Sequence, residues 1–294
     1  MLIRVAPGAR IASGVLGLVL SIIAPCLAPR AAAADAYTGA DGYSPASGVT
    51  ASPITDLFDL RVSYFSAMVH TRIRLDPTGA PYGGTPLSGE NDLGLARNNP
   101  TGLVELTFRM RKRNRMRVDY FDLDRSGNVT LGRTVVFGNE TFDAGNAVQT
   151  TLDWKMMGFT YTHAFIQTDR FELGAGLGVH LLDADVTGSD PTLVENHETA
   201  RTAAVPTVAL ETMWRISSRF AFTGRAQYLG ATVDRVSGSL GEYHGDFQYR
   251  WQPSFALGLG YSYVRVSVAS VTGSTPGRVT LSTQGPEMFV RVSF

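Results

Sequence analysis

Two pairs of aspartates stand two residues apart in this sequence, Asp122 with Asp124 and Asp183 with Asp185. On an extended chain that spacing puts both carboxylates on one face, where they could share a proton or orient a water for hydrolysis. A histidine completes such a site in many hydrolases. His180 lies close to the second pair in sequence but on the opposite face from Asp183, and His244 precedes Asp246 by two residues. A His and a Ser two apart would suggest an activated nucleophile. None of His70, His163, His180, His197 and His244 has a Ser at that spacing. The segment Asp183 to Asp190 offers acidic oxygens, yet it lacks the third early ligand and the distal Glu of a calcium loop. The glycines of Gly174-Ala-Gly-Leu-Gly178 sit inside an alternating apolar run and do not open a helix, so they are no phosphate cradle. These fragments do not assemble into an active site. The reading is therefore a non-enzymatic chain with no catalytic residue, no cofactor and no metal centre.

Composition narrows the remaining choices. The chain has 294 residues, 31 of them Gly, with 11 Tyr and 15 Phe. The 26 basic and 26 acidic residues balance, so no basic footprint for nucleic acid is present. Lys112 and Lys155 are the only lysines; the rest of the positive charge is Arg, whose planar fork suits paired carboxylates. The one cysteine, Cys26, falls near the N-terminus.

Residues 1–34 have the three parts of a signal peptide: Arg4 and Arg10, then the apolar stretch Ile11 to Leu27, then the small residues from Ala31 onward. Cleavage after Ala34 would remove three arginines and Cys26, leaving 23 basic against 26 acidic residues. Residues 35–56 are rich in Gly, Ser, Pro and Ala without a period and are expected to form a flexible lead-in. Residues 57–294 are expected to form one domain.

From Leu57 onward the hydrophobic period is two. Val104, Leu106, Phe108 and Met110 alternate with Glu105, Thr107, Arg109 and Arg111, and Phe171 to Leu181 repeats the pattern against Glu172, three glycines and His180. No run after the leader is long enough for a transmembrane helix, whereas a membrane strand needs apolar residues only at every second position. Ten strands are expected, at about 57–76, 101–112, 115–137, 147–167, 170–186, 201–216, 219–235, 243–250, 254–271 and 284–294, with Arg125-Ser-Gly-Asn128 as a candidate extra turn giving twelve. Connections alternate between tight (113–115, 168–170, 217–219, 251–253) and long (77–100, 138–146, 187–200, 236–242, 272–283). The fold expected is all-β: a single closed antiparallel transmembrane barrel with short turns at one end and longer loops at the other.

The C-terminus adds a family likeness. Met288, Val290, Val292 and Phe294 place apolar residues on one face and end in Phe. This resembles the closing strand of bacterial outer-membrane proteins, and by layout the chain also resembles the small OmpA-type and OmpW-type barrels. The resemblance implies an outer-membrane location, with lipid and lipopolysaccharide around the wall. It also implies that the barrel assembly machinery reads Phe294 as an assembly signal. It supplies no activity: the protease type of such barrels has a second Asp–His pair, and here His244-Gly-Asp246 is reversed. The inward set on this register is Glu105, Arg109, Arg111, Arg117, Asp119, Glu172, Glu211, Arg215, Arg225, Glu287 and Arg291. Charges of both signs in a narrow lumen are expected to pair. Most of the basic run Arg109, Arg111, Lys112, Arg113, Arg115, Arg117 is expected to turn inward as well. The leading functional expectation is a structural or narrow-pore role with small solutes as cargo. The alternative is a surface binding module acting through loop 77–100 (Tyr82, Glu90, Asn91, Asp92), and an outer-membrane lipid or peptide hydrolase comes third.

Overall fold

A computed structural model describes residues 52–80, 82–189, 196–233, 236–270 and 276–293. Thirteen strands occur among them: β1 Phe58–Leu75, β2 Leu87–Ser88, β3 Asn98–Arg111, β4 Asn114–Thr130, β5 Val135–Phe137, β6 Glu140–Phe142, β7 Ala147–Gln167, β8 Phe171–Ser189, β9 Asn196–Arg215, β10 Phe220–Val233, β11 Val236–Gln252, β12 Phe255–Ser270 and β13 Gly277–Ser293. The ten long strands pair antiparallel in chain order, and β13 closes on β1 from Asp59↔Ser293 to Leu75↔Gly277. The result is an all-β, closed, ten-strand antiparallel barrel. The β13–β1 pairing closes the sheet, as a sheet in hydrocarbon requires; β9 and β10 pair only from Ala221↔Arg215 to Tyr228↔Val208.

Several expected boundaries move. The long connection at 236–242 does not exist: β11 begins at Val236 and pairs Val233↔Val236 with β10. Strand β13 starts at Gly277, so most of the expected 272–283 loop is wall, and the 187–200 connection shrinks because β8 runs to Ser189 and β9 starts at Asn196. No turn forms at Arg125-Ser-Gly-Asn128, and β4 pairs with β7 throughout. Gly127 has another task there, since a Cβ on it would lie 2.5 Å from the Gly94 backbone. Gly94 itself has φ +68°, a conformation costly for residues with a Cβ. The two glycines let loop 89–97 lie against the wall.

The strands are longer than a bilayer requires. At about 3.3 Å per residue and about 40° tilt, 17 residues project roughly 43 Å along the axis, against an apolar band about 25 Å tall. The surplus shows as an inversion of side-chain polarity along the long strands β1, β7 and β8. On β8, Leu177, Val179 and Leu181 are exposed on the outside, and the same outward positions continue as Asp183, Asp185 and Thr187. On β1, Tyr64 and Met68 give way to His70, Arg72 and Arg74. On β7, Tyr161 and Met157 give way to Lys155 and Asp153. The inward positions change in the opposite sense. Asp59, Arg61 and Ser63 lead to Phe65, Ala67, Val69, Ile73 and Leu75, all buried. Half of the wall therefore faces lipid around a polar interior, and the other half faces water around an apolar interior.

The tight turns, the start of β1 and the end of β13 share the polar-interior end. Residues 52–56 pack there: Ser52 and Ile54 are buried, and the Thr55 and Asp56 amides donate to Ser52 O at 2.9 and 3.0 Å. At the opposite end β2 pairs with β1 through Arg72↔Ser88 and Ile73↔Leu87, continuing the wall above the point where β3 leaves it at Met68↔Asn98. The β5–β6 hairpin lies beside it, tied by Thr85 N–H donating to Val136 O at 2.9 Å and Gly138 N–H to Leu75 O at 3.0 Å.

Candidate functional site

The lipid-belted half of the lumen holds a continuous set of ion pairs. Arg61, at 2% exposure, donates from Nη1 to Asp246 Oδ2 at 2.8 Å and from Nη2 to Glu287, and its guanidinium sits 3.6 Å above the Phe289 ring. Gly258 makes room for that ring, because a Cβ there would lie 2.1 Å from Phe289 Cζ. Arg225 pairs with Glu105. Arg117 reaches both Asp119 and Glu211 at 3.4 Å. Arg109 and Arg115 converge on Glu172 at 3.2 and 2.9 Å, and Arg291 lies 3.5 Å from Asp59. Arg115 and Arg250 hold residues 53–56 under the barrel: Arg115 donates to Pro53 O at 3.0 Å, and Arg250 pairs with Asp56. Each buried charge is opposed by another, which offsets the several kcal/mol that desolvating an ion costs.

The expected inward residues Glu105, Arg109, Arg117, Asp119, Glu172, Glu211, Arg225, Glu287 and Arg291 all lie in this layer. Arg215 shares their parity on β9 and sits half-buried beside the turn, where its amide donates to Arg170 O at 2.7 Å. Arg111 departs from the expectation. A register shift between Arg109 and Arg111 turns it out, and it is exposed at the end of β3. Phe294 lies outside the described residues. The sequence reading missed Asp59, Arg61, Arg250, His244 and Asp246 as members. Their signal was present in the parity of β1 and β11, where every second residue is polar or charged over 59–63 and 242–250.

One arrangement in this layer has the atoms of a nucleophilic triad. His244 Nδ1 lies 2.7 Å from Ser262 Oγ, and its Nε2 lies 2.7 Å from Asp246 Oδ2. Neighbouring groups fix it as a packed network. Ser262 Oγ also donates to Glu287 Oε2 at 3.2 Å. Ser262, His244 and Asp246 are buried, and Arg61 closes over Asp246.

Above the ion pairs the lumen is apolar. Trp154, Leu123, Leu152, Leu182, Leu240 and Val266 are at most 2% exposed and form one cluster with Phe65, Val69 and Phe121. Leu87, Leu93, Leu95, Leu131, Phe137 and Phe142 from the rim loops extend it. At the boundary between the layers His180, fully buried, lies 3.7 Å from Glu242. Neither ring nitrogen of His180 has a hydrogen-bond partner among the described residues.

The carboxylates singled out for hydrolysis lie elsewhere. Asp122 and Asp124 pair in register with Lys155 and Asp153, which face Asp183 and Asp185 in turn. All are on the outside of the wall, and Asp190 lies outside the described residues. In the rim loop Glu90 turns inward, accepting from Arg125 Nη2 at 2.8 Å and from the Thr71 amide at 3.0 Å. Asp92 accepts from the Ser88 amide at 2.7 Å. Tyr82 stays exposed, with Arg74 5.0 Å from its ring centre.

No family model and no curated protein matches this sequence. Solved structures do. The outer-membrane protease OmpT from Escherichia coli is similar with a TM-score of 0.58 and 11% identity, over 81% of this chain and 96% of OmpT. The transport unit of the Escherichia coli autotransporter AIDA-I has a TM-score of 0.37 and 9% identity over 81% and 90%. The Pseudomonas putida toluene transporter TodX has 0.32 and 7% over 86% and 95%. At these identities the OmpT likeness speaks to fold, and the other two carry no further weight. Together with the closed sheet and its apolar outer belt, it makes this chain a β-barrel of the bacterial outer membrane. The tight-turn end is then periplasmic and the long-loop end extracellular.

Proposed function

We propose that this protein is a closed, non-conducting outer-membrane barrel that works through its extracellular part, as a surface binding module on a rigid stalk. One observation carries the reading: among the described residues the inward side chains are buried in both halves of the lumen, arginine–carboxylate pairs below and Trp154, Leu123, Leu152, Leu182 and Leu240 above. Ions crossing it would have to part buried ion pairs and then enter an apolar core, and both are costly. The water-facing wall and the folded rim of β2, β5 and β6 are the parts available to partners outside the cell. Lipid is the partner of the apolar belt, and the ionic layer keeps the barrel rigid and shut. The narrow-pore alternative requires the same charges to line water.

Planar-bilayer recording of the refolded mature protein tests this, with folding confirmed by the heat-dependent gel shift of barrels. Silence from inserted, folded protein is expected. Stable unitary steps would overturn the reading and return the ionic layer to the role of a channel lining.

A further inference from the structure

We infer that the periplasmic rim gathers anionic phospholipid of the inner leaflet, held by its phosphate groups, along one side of the barrel. This surface is independent of the lumen, conducting or closed. The basic run at the β3–β4 turn divides in two. Arg109, Arg115 and Arg117 are buried in the lumen, whereas Arg111, Lys112 and Arg113 are exposed at its end. The next two tight turns add Arg170 and Arg219, also exposed. Strands β3, β4, β7, β8, β9 and β10 are neighbours in that order, so the three turns are consecutive and make an arc under six of the ten strands. Asp169 is the exposed carboxylate within it. Glu172 is already taken by Arg109 and Arg115, and Lys112, Arg113, Arg170 and Arg219 have no ion-pair partner among the described residues. The turn that completes the rim, Trp251-Gln252-Pro253-Ser254, carries no charge. Positive charge at this end is therefore one-sided.

Depth and rigidity make lipid the partner. The turns sit directly against the apolar belt: Met110 precedes Arg111, and Ile216 and Phe220 flank residues 217–219, all three exposed. Cations one residue beyond hydrocarbon lie at the level of the headgroups. The turns are also fixed in place. Lys112 O accepts from Arg109 Nη1 at 2.7 Å and from Gln167 Nε2 at 2.9 Å, and Arg113 O accepts from the Ala164 amide at 2.8 Å. At the third turn the Phe220 amide donates to Ser217 Oγ at 3.1 Å. Connections this short do not reach away from the membrane toward a periplasmic polymer. Like charges held side by side repel one another, and a phosphate between them turns that repulsion into attraction. Arg and Lys offer it several charge-assisted donors without a shaped pocket.

The test places the full mature chain, with one tryptophan at a time, in phosphatidylcholine vesicles containing a minority of phosphatidylglycerol, with bromine on the acyl chains of one lipid or the other. Trp214 pairs with Phe171 and Phe222, between the turns at 168–170 and 217–219, and reports the arc. Leu257→Trp, on the outside of β12, reports the uncharged side. A basic residue near an anionic surface is worth about fivefold, so quenching of Trp214 should favour phosphatidylglycerol about fivefold, and Leu257→Trp should show no preference. The difference should vanish in about 1 M salt, where charges are screened within about 3 Å. Changing Lys112, Arg113, Arg170 and Arg219 together to Gln should bring Trp214 to the level of Leu257→Trp, with the gel shift of the folded barrel retained. Arg170→Gln with Arg219→Gln should lower the preference part of the way, and serves if the fourfold variant fails to fold. Equal preference at both reporters, or a preference that survives the charge changes, would overturn the inference. So would co-sedimentation with cell-wall sacculi, abolished by the same changes, in a barrel indifferent to lipid charge; that result would assign the arc to the cell wall.

Discussion

Arg61→Leu is the sharpest test of the ionic layer. The guanidinium serves two carboxylates at once, Asp246 and Glu287, whose side chains are 0% and 1% exposed, and it also covers the Phe289 ring. Removing one partner of a buried pair costs about 3–5 kcal/mol, because the other charge is stranded. Here two are stranded, but His244 still bonds Asp246 at 2.7 Å and Ser262 still bonds Glu287 at 3.2 Å. That partial compensation keeps the expected loss near the middle of the range, about 4 kcal/mol. Adding Glu287→Gln and Asp246→Asn removes both stranded charges and should recover about half of it. The assay is reversible urea unfolding in lipid vesicles, followed by tryptophan fluorescence, on wild type, single, double and triple variants. A loss below about 1 kcal/mol for Arg61→Leu, or no recovery in the triple variant, would show that water reaches these groups, and the closed-lumen argument would fail with it.

Two further outcomes follow from the wall and the rim. In single-tryptophan variants, brominated lipid should strongly quench Trp214 and Trp251, which are 51% and 63% exposed on the apolar belt, and leave Trp154, at 2%, unquenched; quenching of Trp154 would invert the assigned faces. Gly127→Val should push loop 89–97 off the wall, since the new side chain meets the Gly94 backbone at 2.5 Å, at about 1–3 kcal/mol for overpacking. Limited proteolysis should then cut within that loop in the variant alone, and identical digestion patterns would refute the packing role.

The sequence made the lipid-facing half of this barrel easy to read and its water-facing half hard. Phe171 to Leu181 alternates cleanly because one face meets hydrocarbon, where a polar outward residue is strongly disfavoured. Beyond Leu181 that constraint ends. Residues 236–242 contain Ser237, Gly238, Ser239 and Gly241, a composition typical of turns. Yet they are wall, paired on both sides with β10 and β12, because the outward positions of Ser237, Ser239 and Gly241 face water, which tolerates small polar residues. The same holds for Arg278, Thr280 and Ser282, which alternate with inward Val279, Leu281 and Thr283. Parity identified most members of the ionic layer, but partners such as Arg61 and Asp246, 185 positions apart, depend on barrel stagger and on which residues face across the lumen.

The exchange of polarity along the strands also bears on how each one finds its place. In an ordinary membrane barrel, slipping a strand by one residue puts charge into lipid; in a soluble one it puts apolar groups into water. Here a single slip of β1 or β8 would do both, moving Arg61 or Glu172 toward lipid at one end and Ile73 or Val186 toward water at the other. Alignment is thus specified by two independent solvents acting in opposite directions on the same strand. Hairpins as short as Val233 to Val236 can then join long strands without having to dictate their alignment themselves.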